Sequence, residues 1–81
     1  MSINKETIGQ RIRRLRESSK LSAQQLADAV NVSKGMIYHL EQDRHAPSLF
    51  TFMDIARALK VSLDYLAFGR VKHESIRDNY R

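Results

Sequence analysis

The chain has 81 residues, 42% of them hydrophobic and 28% charged. That is enough for one small globular domain with a single core and too little for a catalytic domain joined to a regulatory one. It has no cysteine, which excludes a disulfide framework and a thiolate metal site and leaves helix packing or association to hold the fold. Its formal net charge of +5 favours an anionic partner, a signature common to ribosomal, membrane-surface and nucleic-acid proteins.

The charge is unevenly placed. Met1 to Lys20 carries six basic against two acidic residues, Leu21 to Pro47 two against three, Ser48 to Phe68 is balanced, and Gly69 to Arg81 carries four against two. Attraction to phosphate is therefore expected mainly from the first helix and the tail, leaving the central helices to discriminate. Met1 to Gln10 lacks a basic start followed by an apolar run, and no stretch approaches the ~18 consecutive apolar residues of a membrane span. A cytoplasmic location is the expectation.

The first helix is expected from about Lys5 to Ser18, with Ile8, Ile12 and Leu15 on one face at i, i+4 and i+7 and with Gly9 lowering its propensity. After it, one local pattern recurs three times: an apolar residue, a serine, and an apolar residue four places beyond that serine. It occurs as Leu21-Ser22 with Leu26, Val32-Ser33 with Ile37, and Val61-Ser62 with Leu66. Each serine suits an N-cap and each apolar pair a hydrophobic staple, so these are three helix starts; Gln25 adds a capping box to the first of them.

In the second helix Ala27 is small enough for a close helix crossing, and Asn31 tolerates the left-handed backbone of a tight turn before Ser33 opens the third. On a helical wheel the third helix puts Ile37 and Leu40 on one side. Gly35, Tyr38, His39 and Gln42 fall on the opposite half, with Lys34 at its margin and Met36 near the boundary, able either to pack inward or to touch a thymine methyl. Glu41 sits about 70° from the centre of the buried face and needs a cation there; Arg16, at the matching edge of the first helix, is the expected partner. The short second helix of such a pair can enter a major groove with its polar row facing base edges.

Pro47-Ser48 starts a fourth helix from Leu49 to about Lys60, with Phe52, Ile55, Ala56 and Leu59 facing inward. The fifth, Leu63 to Phe68, ends at Gly69. Tyr65, Leu66 or Phe68 on this fifth helix are the expected dimer contacts. The basic tail, residues 70–81, has Val71, Ile76 and Tyr80 as its large apolar groups; disorder, a frayed helix and an arm ordered by a partner all fit it. No alternation marks a strand, so the class is all-α.

Catalysis is not indicated. His39, His45 and His73 lack the spacing of a metal site and suit solvent or DNA contact; Ser18, Ser19 and Ser22 lack a His-carboxylate arrangement, and the glycines form no phosphate loop. No enzyme activity, metal or cofactor is expected. Phe50, Phe52, Tyr65 and Phe68 suit core or interface better than base stacking.

The run LSAQQLADAVNVSKGMIYHLEQ, followed by Arg44, Pro47-Ser48 and Val61 to Leu66, resembles the lambda-repressor-like helix-turn-helix family of phage repressors, Cro proteins and small bacterial regulators. The likeness spans roughly Ile8 to Gly69, with the domain placed at residues 1–69. It implies a compact five-helix domain that binds operator DNA as a dimer, with the third helix as recognition helix. It further implies base-edge contacts from Lys34, Tyr38 and His39, close backbone approach at Gly35, and phosphate contacts from Gln24, Ser33, Gln42 and Arg44. An Arg16–Glu41 ion pair is also common in the family. The chain departs from the pattern at Asn31 and Asp43, where glycines are usual, and at Ala23, where a glutamine usually contacts DNA.

The function expected from these residues is a sequence-specific, double-stranded DNA-binding transcriptional regulator, homodimeric on a pseudo-palindromic operator. The alternative is an antitoxin or co-regulator that grips a protein partner through its tail or fifth helix and autoregulates. Non-specific packaging of nucleic acid would have no use for the differentiated face from Lys34 to Gln42.

Overall fold

A computed structural model describes residues 6–70. Lys5 and the tail from Val71 onward, including His73, Ile76 and Tyr80 and the partner arm expected there, lie outside the described residues. Five helices follow in chain order: α1 (Ile8–Ser18), α2 (Ala23–Val30), α3 (Lys34–Glu41), α4 (Leu49–Leu59) and α5 (Leu63–Phe68). No strand occurs among the described residues.

Hydroxyl side chains open every helix. Thr7, Ser22, Ser33, Ser48 and Ser62 are extended N-caps, each accepting a bond from the backbone N–H three residues on. Thr7 corrects the expected start of α1: with Gln10 it forms a full capping box, so the helix begins at Ile8 and not near Lys5.

The helix ends are coupled to the starts that follow them. Lys20, Asn31 and Lys60 have left-handed backbones with φ of 62°. The next residues, Leu21, Val32 and Val61, send their N–H groups back to the carbonyls of Arg16, Ala27 and Ala56, the six-to-one closure of a Schellman motif. Those same apolar residues precede the N-caps Ser22, Ser33 and Ser62. One three-residue joint thus ends one helix and starts the next, and it is used between α1 and α2, α2 and α3, and α4 and α5.

The core comprises Ile12, Ala23, Leu26, Ala27, Val30, Ile37, Leu40, Ile55, Ala56, Leu59 and Leu66. Around it α2 packs on α3 and α4, α1 on α3 and α5, and α4 on α5. Ala27 has no exposed surface, as a close crossing requires. Ile8 departs from the expected inward face: at the first turn of α1 it stays 38% exposed, while Ile12 is fully buried.

Gly9 lets α1 approach the end of α3. A Cβ there would lie 2.4 Å from the Leu40 carbonyl oxygen and 2.7 Å from that of Glu41, separations that packing does not permit. Asp43 secures the approach. Its carboxylate accepts from the Thr7 hydroxyl and, at 2.9 Å, from the Gly9 N–H, so the loop after α3 helps to cap α1. The residue standing at this usual glycine position keeps a left-handed backbone, φ 60°, and adds a latch.

Candidate nucleic-acid interface

The Ser33 hydroxyl oxygen caps α3 by accepting from the Met36 N–H at 3.0 Å, which leaves its own O–H to donate outward. Beyond it Lys34, Gly35, Tyr38 and His39 are exposed along α3, with Gln42 and Arg44 exposed just past its end. Tyr38 retains 46% of its surface. Met36 goes the other way, half-buried and packed against the core, so its larger part faces inward. Gln24 is exposed on α2 and donates to Asp28 at 2.9 Å. Ala23, beside it, is buried in the core.

Gly35 differs from Gly9. A Cβ there would meet only the Ser33 hydroxyl oxygen, at 3.9 Å, and its φ is not among the positive values. Nothing inside the molecule asks for a glycine. His45 joins the surface from the loop after α3: its ring centroid lies 6.4 Å from that of His39, with the planes tilted by 53°. The adjacency depends on how the chain turns after α3, which spacing alone does not reveal.

The ion pair at the back of α3 is well formed. Arg16 donates from Nε and Nη2 to the two carboxylate oxygens of Glu41, at 2.6 and 3.1 Å, and from Nη1 to the Leu21 carbonyl at 3.0 Å. Both side chains are nearly buried, 11% and 3% exposed. The bond to Glu41 raises the affinity of the Arg16 guanidinium for its proton above the ordinary arginine value. This pair fixes α1 to α3 and borders the exposed flank that carries Tyr38 and Gln42.

Three of the four arginines of α1 are engaged within the molecule. Arg11 is buried, donating to the Leu66 and Ala67 carbonyls at 2.8 and 3.3 Å and to Glu6, so it caps the C-terminal end of α5. Arg14 donates to Glu6 at 2.6 and 3.1 Å and to the Tyr65 hydroxyl at 3.0 Å, and lies 6.0 Å from the centre of the Tyr65 ring. Those bonds raise the Arg14 value and, chiefly through the Arg14 hydrogen bond, hold the Glu6 carboxyl below its usual range. With Arg16 on Glu41, three of the arginines that make the N-terminal segment basic have internal partners. Arg13 is paired at 3.1 Å with Glu17 on the surface, both side chains more than half exposed.

The expected dimer residues separate. Leu66 has no exposed surface and belongs to the monomer core, because a six-residue helix lying on α1 and α4 buries its inner face completely. Tyr65 is half-buried and bonded to Arg14, whereas Phe68 is 58% exposed. Leu49, Phe50 and Leu63 are likewise 66%, 76% and 41% exposed. Ile8, Ala46, Pro47, Leu49, Phe52 and Ala67 line an apolar groove of about 410 Å³. Phe50 therefore lies outside the core, on the surface. Among the described residues no group of three His, Asp or Glu side chains could hold a metal, and no helix is long and apolar enough to cross a membrane.

The arrangement matches known proteins. A helix-turn-helix family model matches residues 12–66. The immunity repressor protein of Bacillus phage phi105 is 40% identical over 57 residues, 70% of this chain and 40% of the relative. An uncharacterized helix-turn-helix-type transcriptional regulator of Bacillus subtilis, YobD, is 35% identical over 57 residues, 70% of this chain and 51% of that protein. The chain thus spans about half the length, or less, of these curated relatives. Among solved structures, the P22 c2 repressor in complex with a synthetic operator superposes with a TM-score of 0.76 at 31% identity, over 79% of this chain and 97% of that one. With its five-helix order, its α2–α3 turn and this match over most of its length, the chain belongs to the lambda-repressor-like helix-turn-helix family.

Proposed function

We propose that this protein is a non-enzymatic, cytoplasmic regulator of transcription that binds double-stranded DNA sequence-specifically as a homodimer, with α3 in the major groove. The observation that carries the reading is the outer flank of α3. Lys34, Tyr38 and His39 stand exposed beside a glycine, Gly35, that neither packing nor backbone geometry requires. A helical glycine costs up to about 1 kcal/mol relative to alanine, and close approach to a DNA strand accounts for its presence here. Lys34, Tyr38 and His39 then read base edges, Met36 adds its exposed edge, and Ser33, Gln24, Gln42 and Arg44 hold phosphates. The operator-bound P22 c2 repressor supports the same placement by likeness of fold.

The exposed apolar side chains support the dimeric reading. An isologous contact needs projections and a recess; the exposed Phe50 and Phe68, each next in sequence to a residue lining the groove of Ile8, Pro47, Leu49 and Ala67, are the candidates for the projections. Sedimentation of the wild type as a dimer, and of the Phe50→Glu/Phe68→Glu variant as a folded monomer, is the expected result; an unchanged assembly state in the variant rejects this face.

Selection from random duplexes followed by footprinting tests the function as a whole. The expected outcome is an enriched sequence with two related half-sites about 34 Å apart on one DNA face. Failure of any sequence to enrich would reject specific recognition.

A further inference from the structure

An open polar cleft of about 260 Å³ lies between α1 and α3, lined by Arg13, Arg16, Tyr38, Glu41 and Gln42. Arg16 and Glu41 largely cancel: the guanidinium holds both carboxylate oxygens and turns its remaining bond to the Leu21 carbonyl. Three exposed groups able to donate remain around the opening: the Arg13 guanidinium, the Tyr38 hydroxyl and the Gln42 amide. Arg13 is held only by a surface pair with Glu17, whose two side chains are 64% and 56% exposed. Such pairs are weak and screened by salt.

We propose that this cleft receives a phosphate of the DNA backbone, with Arg13 leaving Glu17 to bind it and Tyr38 and Gln42 completing the donor set. This rests on the DNA-binding reading and extends the contact surface from α3 onto α1. The chemistry selects an anion with several acceptor oxygens, and a phosphate diester fits because it is delivered in register when α3 docks. A lone cation with two neutral donors has little hold on a free anion. Glu17 acts as an internal competitor that occupies Arg13 until the phosphate displaces it.

The test is duplex binding across a salt series by the wild type, Arg13→Ala, Glu17→Gln and the double variant, after melting curves establish that each is folded. Arg13→Ala is expected to weaken binding roughly threefold to tenfold on related and unrelated duplexes alike and to lower the salt slope by about one. Glu17→Gln is expected to strengthen binding, and that gain should vanish when Arg13 is absent. In ethylation interference, one backbone phosphate per half-site should matter to the wild type and not to Arg13→Ala. An unchanged slope in Arg13→Ala, or a Glu17→Gln gain that persists without Arg13, overturns the assignment while the wild type still binds DNA. A wild type that binds no duplex overturns the parent reading as well. A shift of the Arg13 Nε–H resonance by inorganic phosphate alone would make the cleft a free-anion site and reject the backbone phosphate.

Discussion

Gly9 and Gly35 are both helical glycines, and a methyl group at the two positions has opposite effects. Propensity alone favours alanine at each by up to about 1 kcal/mol. At Gly9 the carbonyls of Leu40 and Glu41 stand where the Cβ would go, so Gly9→Ala is expected to destabilise by about 1–3 kcal/mol or more. At Gly35 there is room, so Gly35→Ala is expected to stabilise by about 0.5–1 kcal/mol while weakening DNA binding. Thermal melts paired with duplex titrations measure both. Apart from the family resemblance at Gly35, the sequence shows two glycines in helical segments and no local feature that separates them, because the difference lies in which helix crosses there. Arg11 was hidden for a similar reason: its charge is legible, but its burial against the end of α5 depends on packing. Glu6 carries a pH dependence. Its carboxyl is held below the ordinary value by Arg14, so its contribution to stability is present above the unfolded value near 4.5 and is lost as pH falls through the lower folded one. Glu6→Gln should flatten the acid limb of a plot of melting temperature against pH, and an unaltered limb would assign that limb to other carboxylates.

At the scale of elements, the serine caps and apolar staples were readable because they depend on neighbours within a few residues. The other half of each joint was readable only at Asn31, whose side chain favours the left-handed region; Lys20 and Lys60 occupy the same conformation without that preference. The capping box of Thr7 and Gln10 was also present in the sequence, and it, with the apolar spacing that begins at Ile8, marks the start of α1 later than the expected Lys5. Between elements, the wheel positions of Arg16 and Glu41 anticipated a pair that the fold places in near-complete burial. Removing one partner from such a pair leaves a charge without its counter-ion, so Arg16→Ala is expected to cost about 3–5 kcal/mol. The double replacement Arg16→Met/Glu41→Leu should recover much of that loss, since it leaves no buried charge. Denaturant melts of the three variants decide it, and a single variant as stable as the wild type would contradict the buried lock.

For the whole molecule, net charge points toward an anionic partner, but most of the arginines of α1 serve the fold as well. Arg11, Arg14 and Arg16 hold α1 to α5, to the segment before it and to α3. The proposed DNA contacts lie on the outer flank of α3, in the Gln42 and Arg44 loop, and at Arg13 on the rim between α1 and α3. The class, the helix order and the outward row of α3 were legible from periodicity and caps; the apolar patch was legible only in part. Phe68 is on the surface as expected, but Leu66 turns inward because α5 is one short helix covered by two others. The most direct measurement is the affinity of His39→Ala for a selected duplex and for its scrambled counterpart, at one salt concentration. A reading flank on α3 gives a loss of about 1–3 kcal/mol per base contact on the selected duplex, with the scrambled duplex nearly unaffected. Parallel losses on both duplexes, or none on either, would contradict it.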